Sequence, residues 1–200
     1  MSFANVVARS ATREDVPQLI EVLARAFAAD PLLASLFPAA EAGREQRLQA
    51  FFRLDVPRSQ RLGGAWTTSD GSGAAVWYPP GSWKPSAWES LRTTSTAVRA
   101  FGMRFGLAAK VLAALQKHHP RQPHWYLYYL GAEPGRQSQG IGTALLRPVL
   151  QHCDQAGHAA YLEATSPRNQ ELYRRHGFAD QAPIALPGGA TAYPMWRDPA

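Results

Sequence analysis

Three side chains in the last quarter of the chain have the types and spacing of a proton-transfer set. Glu163 lies near the end of HAAYLEAT, a run that reads as a strand over residues 158–165. Asn169 follows at the start of SPRNQELYRRHGF, and Tyr173 stands one helical turn beyond it. A carboxylate at a strand end, an amide at a helix start and a phenol one turn later can face one cleft. There the carboxylate can take a proton from an amine, directly or through water, and the phenol can return one to a leaving thiolate. The plainer alternatives are a carboxylate bonded to a neighbouring loop and a tyrosine packed in the core.

A second candidate lies upstream, in RQSQGIGTALL, residues 136–146. Gly140 and Gly142 precede an apolar helical run and follow a strand by a few residues. The first N–H groups of a helix have no partner inside it, and they carry the positive end of the helix dipole. Glycines there remove side chains that would keep a ligand from the backbone, which is how a pyrophosphate is held. A tight turn with no ligand uses the same residues. The stretch lacks the third glycine of a dinucleotide fingerprint and the Gly-Lys-Ser/Thr of a P-loop.

Taken together, these motifs resemble the GCN5-related N-acetyltransferases. Gln137-Ser-Gln-Gly140-Ile-Gly142 matches that family's Gln/Arg-x-x-Gly-x-Gly/Ala pattern, and Asn169 with Tyr173-Arg-Arg-His-Gly177-Phe178 matches its second pattern. The resemblance covers most of the chain and is strongest over residues 125–178. More narrowly, YLEATSPRNQELYRRHGF and the early ATREDVPQLIEVLARAFAADP are similar to the puromycin N-acetyltransferase group.

The resemblance implies a cleft splayed open between strands over 125–131 and 159–163, with acetyl-CoA in it as acyl donor. Its pantetheine amides would pair with backbone at Leu130, Gly131 and Ala132, as an added strand does. Its pyrophosphate would meet Arg136, Gln137, Ser138, Gln139, Gly140, Ile141, Gly142 and Thr143, with arginines 136, 168, 174 and 175 around the phosphates. Asn169 would bind the pantetheine arm. Tyr173 would sit near the thioester sulfur as general acid, with Glu163 the base. Ser138 and Gln139 depart from the basic or glycine residues such loops often carry.

Aromatic residues supply the candidate acceptor wall. Trp77, Tyr78, Trp83 and Trp88 cluster along the sequence and suit an aromatic or cationic amine, as well as a small core of their own. Tyr128 and Tyr129 are adjacent, so strand alternation predicts opposite faces. The six histidines form no metal-ligand pattern, and no metal is expected. Cys153, the single cysteine, falls on the packed face of a helix and reads as a small buried hydrophobe.

The elements that must position these residues follow from periodicity. Val16, Leu19, Ile20, Leu23 and Phe27 repeat at helical spacing, with Thr12 as the expected cap. Residues 41–59 read as one helix, 65–69 and 73–78 as a hairpin, and 82–117 as a helical insertion with helices over 86–103 and 106–116. A strand over 125–131, a helix over 140–155 and the Glu163 strand follow. Ser166 caps the next helix, with Pro167 at its first position. Strands over 179–182 and 191–197 close the chain. This order predicts one mixed α/β domain over residues 1–200, with a mostly antiparallel sheet flanked by helices.

Composition narrows the function classes. With 200 residues, 46% hydrophobic and 18% charged, the chain is a folded domain. A formal charge of +6 without a dense Lys/Arg run gives no nucleic-acid footprint. No apolar run is long enough to span a membrane, and no secretory signal is seen, so a cytoplasmic protein is expected. The expected function is transfer of an acetyl group to a primary amine of a small molecule, such as an antibiotic or aminonucleoside, by a monomer or homodimer. A peptide acceptor, or a non-catalytic acetyl-CoA-binding module, are the alternatives.

Overall fold

Residues 6–200 are described by a computed structural model. Asn5, the first residue of the strand expected over residues 5–9, falls outside them. Strand β1 (Ala8–Ser10) precedes four helices, α1 (Val16–Ala26), α2 (Pro31–Leu36), α3 (Arg44–Phe52) and α4 (Val56–Arg61). The hairpin of β2 (Ala65–Thr68) and β3 (Gly73–Tyr78) leads to α5 (Ala87–Phe101) and α6 (Phe105–His118). Then come β4 (His124–Ala132), α7 (Ile141–Ala156), β5 (Ala159–Ala164), α8 (Pro167–Arg174), β6 (Ala179–Asp180), β7 (Ile184–Ala185) and β8 (Thr191–Arg197).

Local chemistry sets most boundaries. The Ser86 hydroxyl accepts from the Glu89 N–H, and the Glu89 carboxylate accepts from the Ser86 N–H, a reciprocal cap for α5. Ser166 caps α8, and Pro167 takes its first position. Thr12 does not cap α1. The roles are reversed, for the Asp15 carboxylate accepts the Thr12 N–H at 2.7 Å while paired with Arg9. The single helix expected over 41–59 is two, α3 and α4. Pro57, second in α4, has no N–H to continue the ladder, so the chain breaks at 53–55. The closing strands differ too: β6 is only two residues, and β7 makes its own hairpin with β8.

The strands form one sheet in the order β1-β2-β3-β4-β5-β8-β6, with β7 also on β8. Every pairing is antiparallel except β4 with β5. Alternation along β3 divides two cores. Ala74, Val76 and Tyr78 join the cluster under α1 to α4, while Ala75 and Trp77 join the cluster under α7 with Leu145, Leu146 and Val149.

Two features open the sheet. β4 and β5 pair from His124–Ala159 to Leu127–Leu162 and no further, although β4 stays paired with β3 as far as Ala132. Opposite β3, the register jumps from Val76–Tyr129 to Trp77–Leu127, so Tyr128 is an extra residue in β4. Such a bulge bends its strand and disrupts the ladder. It also overturns the expected alternation. Tyr128 and Tyr129 both pack in the α1–α4 core, their ring centroids 4.6 Å apart.

Gly131 allows α1 to lie close on the far part of β4. A Cβ there would meet the Ala26 Cβ at 2.8 Å and Leu23 Cδ2 at 3.2 Å. Gly131→Ala should therefore lower stability by about 1–3 kcal/mol in urea unfolding. Gly135→Ala, where a Cβ meets nothing within 4 Å, should change it by less than about 0.5 kcal/mol.

Candidate active site

The parted strands open onto a cavity of about 1200 Å³. β4 contributes Tyr126, Leu127, Tyr128, Tyr129 and Leu130 to its wall. β5 contributes Leu162, Glu163 and Ala164, and α8 contributes Asn169 and Tyr173. The insertion covers another side, through Trp83, Ala97, Phe101, Val111 and Leu115 among others. The expected trio of Glu163, Asn169 and Tyr173 is thus brought to one cavity.

Glu163 is the centre of its electrostatics. Its side chain is 7% exposed. Oε2 accepts from the Tyr126 hydroxyl, and Oε1 is buried with no hydrogen-bond partner among the described residues. Burial pushes the carboxyl up to about 7, and the Tyr126 and Tyr161 phenols only partly oppose this.

The neighbouring histidines leave that balance intact. His124 Nδ1 lies 2.7 Å from the Gln122 carbonyl, which can only accept, so Nδ1 carries the proton. Its Nε2 is then an acceptor, and takes the Nε2 proton of His119 at 3.1 Å. His119 Nδ1 is left as a bare lone pair, 4.0 Å from Glu163 Oε1. Burial lowers both histidines, His119 to about 4, so both are neutral at pH 7. Trp83 packs on His119 at 4.0 Å between ring centroids.

Tyr173 is buried and borders the cavity, with its ring 6.0 Å from Phe178. Its hydroxyl has no hydrogen-bond partner among the described residues. Burial and the nearby Asp30 raise it above the ordinary phenol range, so it is protonated at neutral pH. Asp30 fixes this corner. One carboxylate oxygen caps α2 at Leu33 N–H, 2.9 Å away, and the other accepts from Thr165 Oγ1 at 2.5 Å.

The glycine segment lies at the start of α7. Gly140 is its N-cap at φ +84°, and Ser138, at φ +62°, is the one non-glycine residue with positive φ among those described. The N–H groups of Gly140, Ile141, Gly142 and Thr143 meet no acceptor among the described residues. Gly142 serves packing, since a Cβ there would stand 2.9 Å from Leu172 Cδ2 of α8. Of the four expected arginines, two reach this segment. Arg136 bonds Gln139 at 2.8 Å and pairs with Asp70 at 3.1 Å, and Arg168 bonds the Ser138 hydroxyl at 3.2 Å. Arg174 pairs with Glu171 and Asp180, and Arg175 faces a separate pocket beside Arg147. Free N–H groups, two arginines and the unpaired edge of β4 are the donor set a pyrophosphate and a pantetheine arm need, so these residues fit acetyl-CoA.

Three aromatic assignments change. Trp77 is fully buried under α7, on the opposite sheet face from the cavity, because odd positions of β3 point that way. Tyr78 is on the cavity side but lies behind the wall, fully buried, with its hydroxyl on Asp55. Trp88 is 64% exposed and does not line this cavity. Only Trp83 of this group reaches the cavity. Conversely, Tyr126, His119, Asp30 and Asp55 were not singled out as site residues. Tyr126 could have been found from its position two residues before Tyr128 in WYLYYL. Asp55 carried no such signal, since it falls inside the stretch 41–59 that reads as one helix.

A model of the Acetyltransferase (GNAT) family matches residues 76–178. The chain belongs to the GNAT family of acetyltransferases. It is 29% identical to a Corynebacterium glutamicum structure described as histone acetyltransferase HPA2 and related acetyltransferase, at a TM-score of 0.75 and with 98% of each chain covered. A Drosophila melanogaster polyamine N-acetyltransferase that forms N-acetylagmatine shares the fold at 17% identity and a TM-score of 0.65, covering 97% of this chain and 100% of its own. An uncharacterized N-acetyltransferase of Schizosaccharomyces pombe is 37% identical over 62 residues. That match spans 31% of this chain and only 25% of the yeast protein. Among the described residues there is no cluster of metal-ligating side chains, and no helix is long and apolar enough to cross a membrane.

The Glu163 environment sets a pH dependence. Its folded pKa of about 7 exceeds the ordinary 4.5. The native state therefore holds a proton that the unfolded chain has released, and this contribution to stability is full below about 4.5 and lost as pH rises through 7. Glu163→Gln should remove that loss, on the order of 3 kcal/mol at pH 8. Thermal unfolding should show the variant gaining several degrees relative to the parent between pH 5 and pH 8. An unchanged difference across that range would contradict the buried, neutral-range carboxyl.

Proposed function

We propose that the protein transfers the acetyl group of acetyl-CoA to a primary amine of a small molecule, by direct attack in a ternary complex. Acetyl-CoA supplies the acetyl group as a thioester. Glu163 carries this reading: a buried carboxylate with one free oxygen, poised near neutrality, in the wall of a cavity beside the open strand edge. Leu130, Gly131 and Ala132 present backbone for the pantetheine arm, Asn169 borders the same passage, and the segment from Arg136 to Thr143 receives the pyrophosphate.

Each residue then has one task. Glu163 takes a proton from the acceptor ammonium, which frees the nitrogen lone pair. The nitrogen–acyl bond forms and the carbon–sulfur bond breaks. Backbone near Gly131 polarises the carbonyl, Tyr173 gives its proton to the departing sulfur, and the second proton that the acylated nitrogen sheds restores the Tyr173 phenol. Helices α5 and α6 close over the acceptor side, which supports a small molecule over an extended peptide. Aminonucleosides and other amine antibiotics belong to that class, and the likeness of residues 161–178 to the puromycin N-acetyltransferase group supports including them. We place the reaction in the cytoplasm, in a monomer or homodimer.

Release of free thiol from acetyl-CoA, screened over aminonucleosides, aminoglycosides, polyamines, amino acids and peptides, tests the activity. No thiol release with any amine would reject it. Tyr173→Phe keeps the ring and removes the donor. Its kcat should fall by about 100-fold at saturating acetyl-CoA, within the usual effect of a positioned acid. Parental kcat, with chemistry shown to limit the rate, would make Tyr173 a packing residue.

A further inference from the structure

The cavity holds a second acid that the transfer chemistry does not use. Asp55 stands at the N-terminus of α4, where an aspartate ordinarily accepts a helix N–H, yet its side chain caps nothing. It turns to the cavity wall instead. There the Tyr78 hydroxyl donates to Oδ1 at 3.0 Å and the Tyr129 hydroxyl to Oδ2 at 3.0 Å. A carboxylate offers about four acceptor directions, and these phenols take two.

Asp55 makes no ion pair among the described residues, its two side-chain contacts being phenols. Arg53 and Arg58 line the same cavity and the field of Arg58 partly lowers the Asp55 carboxyl, but the Arg58 guanidinium is held by the carbonyls of Ser82, Trp83 and Lys84 and pairs with Glu89 at 3.3 Å. A buried carboxylate without a cation is costly. A ligand that brings the cation would remove the cost. Independently, Glu163 on the same cavity wall is more than nine-tenths buried and keeps Oε1 without a partner.

The spacing of the two acids is set by β4. Tyr126 holds Glu163 and Tyr129 holds Asp55. The Tyr128 ring lies between them, 5.2 Å from Tyr126 and 4.6 Å from Tyr129. Tyr126 and Tyr129 stand three residues apart across the Tyr128 bulge, so the two acids are held at separate points of one cavity wall. The floor between them is aromatic, and a cation is attracted to it.

We propose, on the acetyltransfer reading above, that the acceptor is dicationic: a short aliphatic α,ω-diamine. Its reacting nitrogen lies at Glu163 and its far ammonium is held by Asp55. Bond making and proton transfer are as already described, and the far nitrogen keeps all its protons.

Putrescine and butylamine make the test, because they share a four-carbon chain and differ in the second ammonium. For the parent protein, kcat/KM by thiol release should favour putrescine by about 10- to 100-fold, the effect of one buried charged hydrogen bond. Asp55→Asn, nearly isosteric and still able to accept a phenol, should bring that ratio toward one. Circular dichroism checks that it folds, and the parental ratio stands as a test if it does not. Equal use of the two amines by the parent would overturn the proposal, as would a preference for 2-phenylethylamine over putrescine, or an undiminished ratio in a folded Asp55→Asn. Turnover of neither amine, with no heat of putrescine binding in calorimetry, overturns it too. Thiol release with some other amine would then leave the acetyltransfer reading in place. Putrescine binding that is lost in Asp55→Asn, without thiol release from any amine, would instead keep the cation site and reject the acetyltransfer.

Discussion

The whole arrangement depends on two parallel strands that stop pairing part-way. Backbone N–H and C=O groups are obligatory hydrogen-bonding groups, and a buried strand edge without partners is costly. β4 keeps one edge satisfied by β3 through Ala132, while its other edge is free beyond Leu127. An extra residue at Tyr128 makes the parting geometrically consistent, because it bends β4 and breaks the register that β5 would need to follow. The free edge, the cavity beneath it and the approach of α8 to β5 all follow from that departure.

Opening the sheet has consequences for the residues that fill the gap. Asp30, Asp55 and Glu163 all border the cavity. Asp30 is used structurally, joining α2 to the β5–α8 corner. Asp55 and Glu163 are held by phenols rather than by cations, and burial raises both, to about 6 and about 7. A core built for stability alone would replace such groups with apolar side chains. Their retention in one cavity is the trade of stability for chemistry that functional sites make.

Much of this was legible in the sequence, for identifiable reasons. The order of strands and helices was readable because β4, α7, β5 and α8 are long or well capped, and Ser166-Pro167 and the glycine pair mark their starts by local chemistry. Glu163, Asn169 and Tyr173 could be grouped because a strand end and a helix start adjoin along the chain. Most of what failed depended on register. The bulge puts Tyr128 and Tyr129 on one side, which no count by twos can foresee. Trp77 was assigned to the pocket by nearness in sequence to Trp83, whereas strand parity sends it under α7. Asp55 was invisible because its partners, Tyr78 and Tyr129, come from distant strands. The break before α4 was foreseeable, since Pro57 forbids an unbroken helix over 41–59.

The choice of partners for Glu163 is the most telling detail of the site. An arginine or lysine on Oε1 would fix the carboxylate in its ionised form and drive its pKa down, leaving a poor base. A fully apolar surround would drive it up and leave it protonated at working pH. Here the Tyr126 phenol donates to Oε2, Tyr161 also favours the ionised form, and the nitrogen 4.0 Å from Oε1 is the bare Nδ1 of His119, kept neutral by burial and held in that tautomer by His124. That tautomer depends in turn on a backbone carbonyl, Gln122, which can only accept. A loop on the surface between α6 and β4 thereby sets which nitrogen faces the acid. The insertion that covers the cavity and the loop that ends it therefore act on the same group, the first by excluding water from Glu163 and the second by denying it a cation.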